Sequence, residues 1–189
     1  MNTPAHLIIG AAAFGKPGQV AVTTGALLGA LMPDISLYVM ASWSLYVTGV
    51  PASVVFGEYY FSDTWQRIFA VDNSFVLWAI ALGYFVWARR PALIAFAASG
   101  LLHLALDFPL HAQDARMQFW PLSEYVFNSP LSYWNPRFYS NIVAPLEVAL
   151  AMLLSVFMLW RFKSLRARAM IIVLATSELL TNQSFGVLH

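Results

Sequence analysis

The cleanest apolar run in the sequence covers residues 142–162 and reads IVAPLEVALAMLLSVFMLWRF. Only Glu147 and Ser155 interrupt its apolar character before Arg161, near its end. About 20 consecutive apolar residues are enough for an α-helix to cross the hydrocarbon core of a bilayer. The run therefore predicts a transmembrane helix.

The composition of the whole chain agrees with a membrane protein. The chain has 189 residues, of which 60% are hydrophobic and 10% are charged, and its mean hydropathy is +0.66. Soluble domains are typically about 45–50% apolar and about 25% charged. We therefore exclude a disordered chain, a nucleic-acid-binding protein with a basic surface and an ordinary soluble enzyme. We predict a single all-α integral membrane domain over residues 1–189, with the lipid bilayer as its partner.

Six further apolar stretches predict helices, at residues 3–14, 19–32, 35–50, 74–88, 91–107 and 169–180. Residues 51–73 are typical of a loop that could contain a short helix, and residues 111–141 predict a long polar and aromatic loop. Several stretches are shorter than a full span, so we predict a polytopic bundle of four to six membrane helices. The N-terminus lacks the basic region of a signal peptide, so we expect the first helix to be retained.

Basic residues concentrate in three short turns between the apolar stretches. These turns contain seven of the ten, namely Lys16, Arg89, Arg90, Arg161, Lys163, Arg166 and Arg168. By the positive-inside rule the basic turns face the cytoplasm, whereas the acidic helix ends and the 111–141 loop lie on the extracytoplasmic side. The pattern predicts a multi-pass protein of a bacterial cytoplasmic (inner) membrane.

Two ionisable residues share one face of the helix predicted at 91–107. His103 and Asp107 are four residues apart, which places an imidazole and a carboxylate one turn apart on the same side. A divalent metal ion could bridge them, or a His–Asp hydrogen bond could seal a contact between helices. Pro109 ends the helix just after Asp107, where the helix dipole is negative, so a compensating cation is expected there. His111 follows in the loop and could join as a further metal ligand.

Two more candidate ligands stand at the ends of other helices. His6 lies in the first turn of its helix, where the positive end of the dipole favours a neutral imidazole that can coordinate a metal. Asp34 follows Pro33 and could be a metal ligand, a general base or only the N-cap of the next helix. The sequence has no cysteine, so a metal ion must be bound by histidine nitrogen and carboxylate oxygen atoms, a donor set that suits Zn²⁺.

Taken together, these motifs resemble the inner-membrane metal-dependent hydrolases of the YdjM type. That family has an early His in a helix of small residues, a Pro-Asp motif, a His-x-x-x-Asp motif and a later Trp-Pro or Phe-Pro motif. The matching positions are His6, Pro33-Asp34, His103 with Asp107, and Trp120-Pro121. The resemblance covers about residues 3–123.

The chain departs from the family pattern at Asp72-Asn73-Ser74, where the family has Thr-His-Ser. Asn73 thus replaces the family's ligand histidine, and His111 or Asp114 could compensate for its loss. An amide oxygen is a weaker ligand than an imidazole for a borderline metal such as zinc. This departure favours a divergent member of the family.

The resemblance implies a membrane-bound hydrolase in which a divalent metal ion, zinc by preference, lowers the pKa of a water molecule to about 7 for attack on an ester or phosphoester. His6, His103 and Asp107 would hold the ion. Asp34 would be a ligand or the general base, and Asn73 would hold the water or an amphiphilic substrate that enters from the bilayer. Two other classes stay open: a non-catalytic membrane protein that keeps the polar cluster for structure, and a small transporter component.

Overall fold

The computed structural model describes the backbone of residues 1–187 and the side chains of residues 1–182. Every regular element in this part of the chain is helical, which agrees with the predicted all-α fold. The main helices are α1 (Thr3–Phe14), α2 (Val20–Leu31), α3 (Ile35–Ser42), α4 (Asp63–Asp72), α5 (Phe75–Trp87), α6 (Pro91–Asp107), α7 (Ser140–Arg161) and α8 (Leu165–Val187). Shorter helical segments lie at Met32–Asp34, Trp43–Val47, Ala52–Val54, Val55–Tyr59 and Pro136–Phe138.

Three helical stretches in the described residues are long and apolar enough to cross a membrane: Val20–Val47, Asp63–Trp87 and Ser140–Arg161. The last of these contains all but the final residue of the apolar run from which the membrane class was predicted. The helices α1 and α6 are also apolar but shorter. A 3₁₀ turn at Met32–Asp34 joins α2 to α3, so the predicted helices at 19–32 and 35–50 belong to one continuous helical stretch. Pro33 lies in that segment, and its lack of an N–H group removes one hydrogen bond from the continuous stretch at the point where the α-helix gives way to the 3₁₀ turn.

Residues 51–73 are more helical than the loop predicted from their mixed composition. The helix α4 occupies Asp63–Asp72 and belongs to the Asp63–Trp87 span. Ser62 caps this helix by accepting a hydrogen bond from the backbone N–H of Trp65, and the acidic Asp63 suits the positive end of the helix. Phe69 and Ala70 are buried. An amphipathic helix of this kind is hidden from a search for uninterrupted apolar runs.

The helices α2 and α6 pack against each other through their backbones. A Cβ atom on Gly25 would lie 2.2 Å from the carbonyl oxygen of Ala92, and one on Gly29 would lie 1.9 Å from that of Phe96. Only glycine permits an approach this close. The contact brings the carbonyl group of Ala30 on α2 next to His103 on α6.

The helix α1 lies inside the bundle, in contact with α2, α6, α7 and α8. At the end of α7, Arg161 donates hydrogen bonds to the carbonyl oxygens of Ala12 and Gly15, both at 2.8 Å. These bonds satisfy carbonyl groups that the end of α1 leaves without helical partners. The basic turn after α1 and the basic turn after α7 therefore lie at the same end of the bundle. The first turn of α1, with His6, lies at the opposite end.

Candidate metal site

His103 has one ring nitrogen held by the backbone and the other left without a partner. Its Nδ1 atom lies 2.7 Å from the carbonyl oxygen of Ala30. A carbonyl oxygen can only accept, so Nδ1 carries a proton, and in the neutral imidazole Nε2 presents its lone pair. That Nε2 atom is buried and makes no hydrogen bond, although it lies 3.2 Å from Oδ2 of Asp107 and 3.8 Å from Oδ1 of Asp34. A lone pair that faces two carboxylates is the arrangement expected where a cation binds between them.

His6 brings a second imidazole to the same place from α1. Its ring stacks on the ring of His103, with the centroids 3.6 Å apart and the planes at 11°. Its Nε2 atom lies 2.9 Å from Oδ1 of Asp107, and its buried Nδ1 atom makes no hydrogen bond. One potential donor atom from each of His6, His103 and Asp107 lies within 4.8 Å of the other two. The structure thus brings together three of the predicted metal ligands, each less than one-tenth exposed.

Asp107 is the residue on which the other groups converge. Besides the two stacked histidines, it contacts Nε2 of His111 at 3.1 Å and the amino group of Met1 at 2.5 Å. The sequence predicted a compensating cation beside this carboxylate at the negative end of α6. The amino group of Met1 and the imidazole of His111 fill that role in the structure.

Asp34 lies at the edge of the cluster. Its Oδ2 atom accepts a hydrogen bond from the hydroxyl group of Thr3 at 2.7 Å, and that hydroxyl lies 2.5 Å from the phenol oxygen of Tyr38. Asp34 occupies the N-cap position of α3, but its side chain accepts no capping hydrogen bond. Asp34 therefore stands at the predicted N-cap position but does not cap α3 through its side chain, because the carboxylate is directed to Thr3 and the histidine cluster.

His111 bridges two carboxylates. Its Nε2 atom contacts Asp107 at 3.1 Å, and its Nδ1 atom contacts Asp114 at 2.9 Å. Burial alone would lower the pKa of His111, but Asp107 and Asp114 outweigh burial and raise that pKa to about 9. A protonated imidazole has no lone pair for a metal ion. In this structure His111 therefore ties the end of α6 to the following loop, and its assignment as a metal ligand stays a prediction.

Asn73 has its amide group fully engaged in hydrogen bonds. Its Nδ2 atom donates to the carbonyl oxygens of Pro33 and Phe69 at 3.1 and 3.0 Å, and its Oδ1 atom accepts from Arg116 at 2.9 Å. These contacts join the end of α4 to the turn between α2 and α3. The amide oxygen that was predicted to hold a water molecule or a substrate is thus occupied by a guanidinium group, and the structure gives Asn73 a positioning role.

Arg116 is the residue near the site that the sequence analysis missed. It is 6% exposed, and no other lysine or arginine whose side chain is described is buried to this degree. Its guanidinium carbon lies 4.6 Å from the ring centre of Phe69. Burial disfavours its charge, but Tyr60 and Asp34 outweigh burial and hold the pKa of Arg116 above its ordinary value. In the sequence, Arg116 differs from most of the basic residues because it lies in the predicted extracytoplasmic loop, away from the three basic turns.

Two buried glutamates lie beside the site. Glu147 is 4% exposed and accepts a hydrogen bond from the backbone N–H of Asn2 at 2.6 Å, so it faces the interior of the bundle. Glu178 on α8 is fully buried, and the side-chain amide of Asn2 donates to it at 3.3 Å. Glu178 could not be predicted as a buried polar residue, because it lies in an apolar stretch without a recognisable motif.

Comparison of the chain with family models, with curated proteins and with solved structures finds no match. The resemblance to the YdjM type therefore stays a prediction that depends on the motifs themselves.

Proposed function

We propose that the chain is a membrane-bound hydrolase that holds a divalent metal ion, zinc by preference, at His6, His103 and Asp107. The observation that carries this proposal is the buried, unpartnered Nε2 atom of His103, which faces the carboxylates of Asp107 and Asp34. Imidazole nitrogen and carboxylate oxygen are ordinary ligands of catalytic zinc, and three protein ligands leave a position open.

The residues around this cluster fit such an ion. The hydrogen bond from His103 to the carbonyl oxygen of Ala30 orients the imidazole and leaves its other nitrogen free to coordinate. His6 retains a buried nitrogen without a partner. When bound, zinc would supply a Lewis acid that polarises an ester or phosphoryl oxygen and lowers the pKa of a water molecule to about 7.

The protein itself would position and deprotonate the water. Asp34 is the general base in this proposal, because its carboxylate lies next to the cluster at 3.8 Å from His103 and is oriented by the hydroxyl group of Thr3. Tyr38 is 45% exposed and touches the same hydroxyl. This edge of the cluster is where a water molecule or an amphiphilic substrate would enter, and the buried histidines on the other side exclude solvent.

The proposed location is a bacterial cytoplasmic membrane, crossed by four to six helices. Exposed apolar side chains on α5 and α7, among them Ile80, Trp87, Leu146, Leu153 and Trp160, offer the surface that lipid tails require. Arg161 holds two basic turns at one end of the bundle, and the positive-inside rule places that end in the cytoplasm. The His/Asp cluster would then face the extracytoplasmic side, together with the 111–141 loop.

The proposal is tested by the zinc content and the activity of the purified full-length chain in detergent. We expect about one zinc ion per chain for the parent protein and for Ser99→Ala, a control at another buried position on α6. His103→Ala and Asp107→Ala should each lose the metal and the hydrolysis of chromogenic ester or phosphoester substrates. Zinc far below one per chain, unchanged by both substitutions, would overturn the proposal.

A non-catalytic role is the second candidate. It is favoured by the contacts of Asp107, whose charge is already balanced by the amino group of Met1 and by His111. In that case the cluster would stabilise the bundle without turnover. Zinc that binds stoichiometrically, raises the unfolding temperature and supports no hydrolysis of either substrate class would favour this alternative.

A further inference from the structure

Arg116 is a buried cation that lacks an anionic partner. In the part of the chain whose side chains are described, no carboxylate lies within salt-bridge distance of its guanidinium group. Its Nη1 atom donates to the neutral oxygens of Asn73 at 2.9 Å and of Pro33 at 3.4 Å. Its Nε–H group is buried and finds no acceptor. A buried guanidinium group with an unused N–H donor offers a hydrogen bond to an anion that reaches it.

The guanidinium group is held in a defined orientation. The ring of Phe69 covers one face of the guanidinium plane at 4.6 Å, and the ring of Tyr60 lies 6.0 Å away. Asn73 and Pro33 engage one edge of the plane. Such a rigid group can form hydrogen bonds with a tetrahedral anion without first losing side-chain freedom.

Arg116 also lies next to the proposed metal site. It hydrogen-bonds the carbonyl group of Pro33, the residue directly before Asp34, and Asp34 lies 3.8 Å from Nε2 of His103. A substrate held between the cluster and Arg116 would therefore contact both a Lewis acid and a fixed positive charge. Phosphoryl groups are stabilised by this combination, because their negative charge is shared over several oxygens.

We infer that Arg116 binds the phosphoryl oxygens of the substrate and that the substrate of the proposed hydrolase is a phosphoester. The hydrolysis step in this inference rests on the proposed function, whereas the binding of phosphate by Arg116 does not. In the reaction the water oxygen forms a bond to phosphorus, and the bond from phosphorus to the alcohol oxygen breaks. One proton of the water goes to the departing alcohol, and the other stays on the phosphate product. A carboxylic ester carries no charge before attack, so it offers the guanidinium group no anion to bind in the ground state, whereas a phosphoester does.

The test measures binding of inorganic phosphate to the full-length chain in detergent, by isothermal titration calorimetry, with zinc bound and with zinc removed. Arg116→Gln removes the charge, Arg116→Lys keeps the charge without the bidentate fork, and Arg137→Gln is a matched control at an exposed arginine in the same loop. We expect phosphate affinity to fall about tenfold or more in Arg116→Gln, less in Arg116→Lys, and not at all in Arg137→Gln. Zinc content should stay the same in all three variants.

The outcomes separate this inference from the proposed function. Absence of zinc from the parent protein would overturn the metal site, but Arg116-dependent phosphate binding by the metal-free chain would still support the inference. Equal phosphate affinity in the parent and in Arg116→Gln would overturn it, even if zinc binds. If Arg116→Gln does not fold, Arg116→Lys decides: weaker phosphate binding supports the inference, and unchanged binding contradicts it.

Two sources of the phosphoryl group are distinguished by competition. Phosphatidic acid in mixed micelles and soluble glycerol phosphate are each tested for displacement of bound phosphate. Displacement by phosphatidic acid alone supports a lipid headgroup, and displacement by glycerol phosphate supports a soluble phosphoester. Failure of both to displace phosphate contradicts a phosphoester substrate.

Discussion

The Nδ1 atom of His103 on α6 donates a hydrogen bond to the carbonyl oxygen of Ala30 on α2, at 2.7 Å. This bond decides which nitrogen of His103 faces the carboxylates. It exists because two glycines allow the backbones of α2 and α6 to approach closely. Helix packing and metal chemistry are therefore linked through one backbone carbonyl group.

Gly29→Ala tests this link. The new methyl group would meet the carbonyl oxygen of Phe96, so α2 must move away from α6 and shift the carbonyl group of Ala30. We expect the free energy of unfolding in detergent to fall by roughly 1–3 kcal/mol and zinc affinity to weaken with it. Gly83→Ala is the control, because no atom lies within 4 Å of the Cβ it would add. Unchanged stability and zinc affinity in Gly29→Ala would contradict the link.

His111→Gln distinguishes a metal ligand from a structural bridge. The substitution removes the contacts of the imidazole with Asp107 and Asp114, so we expect a loss of roughly 1–3 kcal/mol in stability. Zinc stoichiometry, measured by elemental analysis, should stay that of the parent protein because both ring nitrogens of His111 are engaged by carboxylates. A loss of zinc as complete as in His103→Ala would show that His111 is a ligand, as the sequence predicted.

Asn73→Ala tests the positioning role assigned to that residue. Without its amide, the carbonyl groups of Pro33 and Phe69 each lose one of two donors, and Arg116 loses its acceptor at 2.9 Å. Loss of a buried hydrogen bond to a charged group costs about 1–3 kcal/mol, so thermal unfolding should show a loss of stability of that order while zinc content is retained. A folded Asn73→Ala protein with normal stability and no activity would instead support the predicted catalytic role.

The site residues differ in how far the sequence could predict them. His103 and Asp107 share a helix, so their spacing alone predicts the proximity that the structure has, at 3.2 Å. His6 and Asp34 lie on other elements. Their proximity was suggested only by the topology, in which successive helices end on alternate sides of the membrane and these two residues fall on the same side. The hydrogen bond to the carbonyl group of Ala30 could not be predicted. Every residue has a backbone carbonyl group, so the sequence does not show which one accepts from His103.

The missed features have a common physical cause. Arg116 lies in a loop without periodicity, so nothing in its neighbourhood predicts that it is buried against Phe69 and Asn73. The helix Asp63–Asp72 could be predicted only as a short helix within a loop, and not as part of a membrane span, because its charged residues break the apolar run. Both features depend on contacts between distant parts of the chain, to which composition and local spacing are insensitive.

The orientation in the membrane is open to direct labelling, because the chain contains no cysteine. Lys163→Cys and Glu124→Cys each introduce one thiol at an exposed position, in a basic turn and in the long loop respectively. In spheroplasts, a membrane-impermeant maleimide should label Glu124→Cys, and it should label Lys163→Cys only after lysis. Labelling of Lys163→Cys in intact spheroplasts would reverse the orientation and place the His/Asp cluster on the cytoplasmic side.

The most direct test of the metal site is X-ray absorption at the zinc edge on the zinc-loaded protein. We expect nitrogen and oxygen neighbours at about 2.0–2.2 Å, with the outer-shell scattering of imidazole rings. That imidazole signal should decrease in His103→Ala and stay unchanged in Ser99→Ala. A zinc environment without imidazole scattering, or one that His103→Ala leaves unaltered, would contradict a metal site at His6, His103 and Asp107.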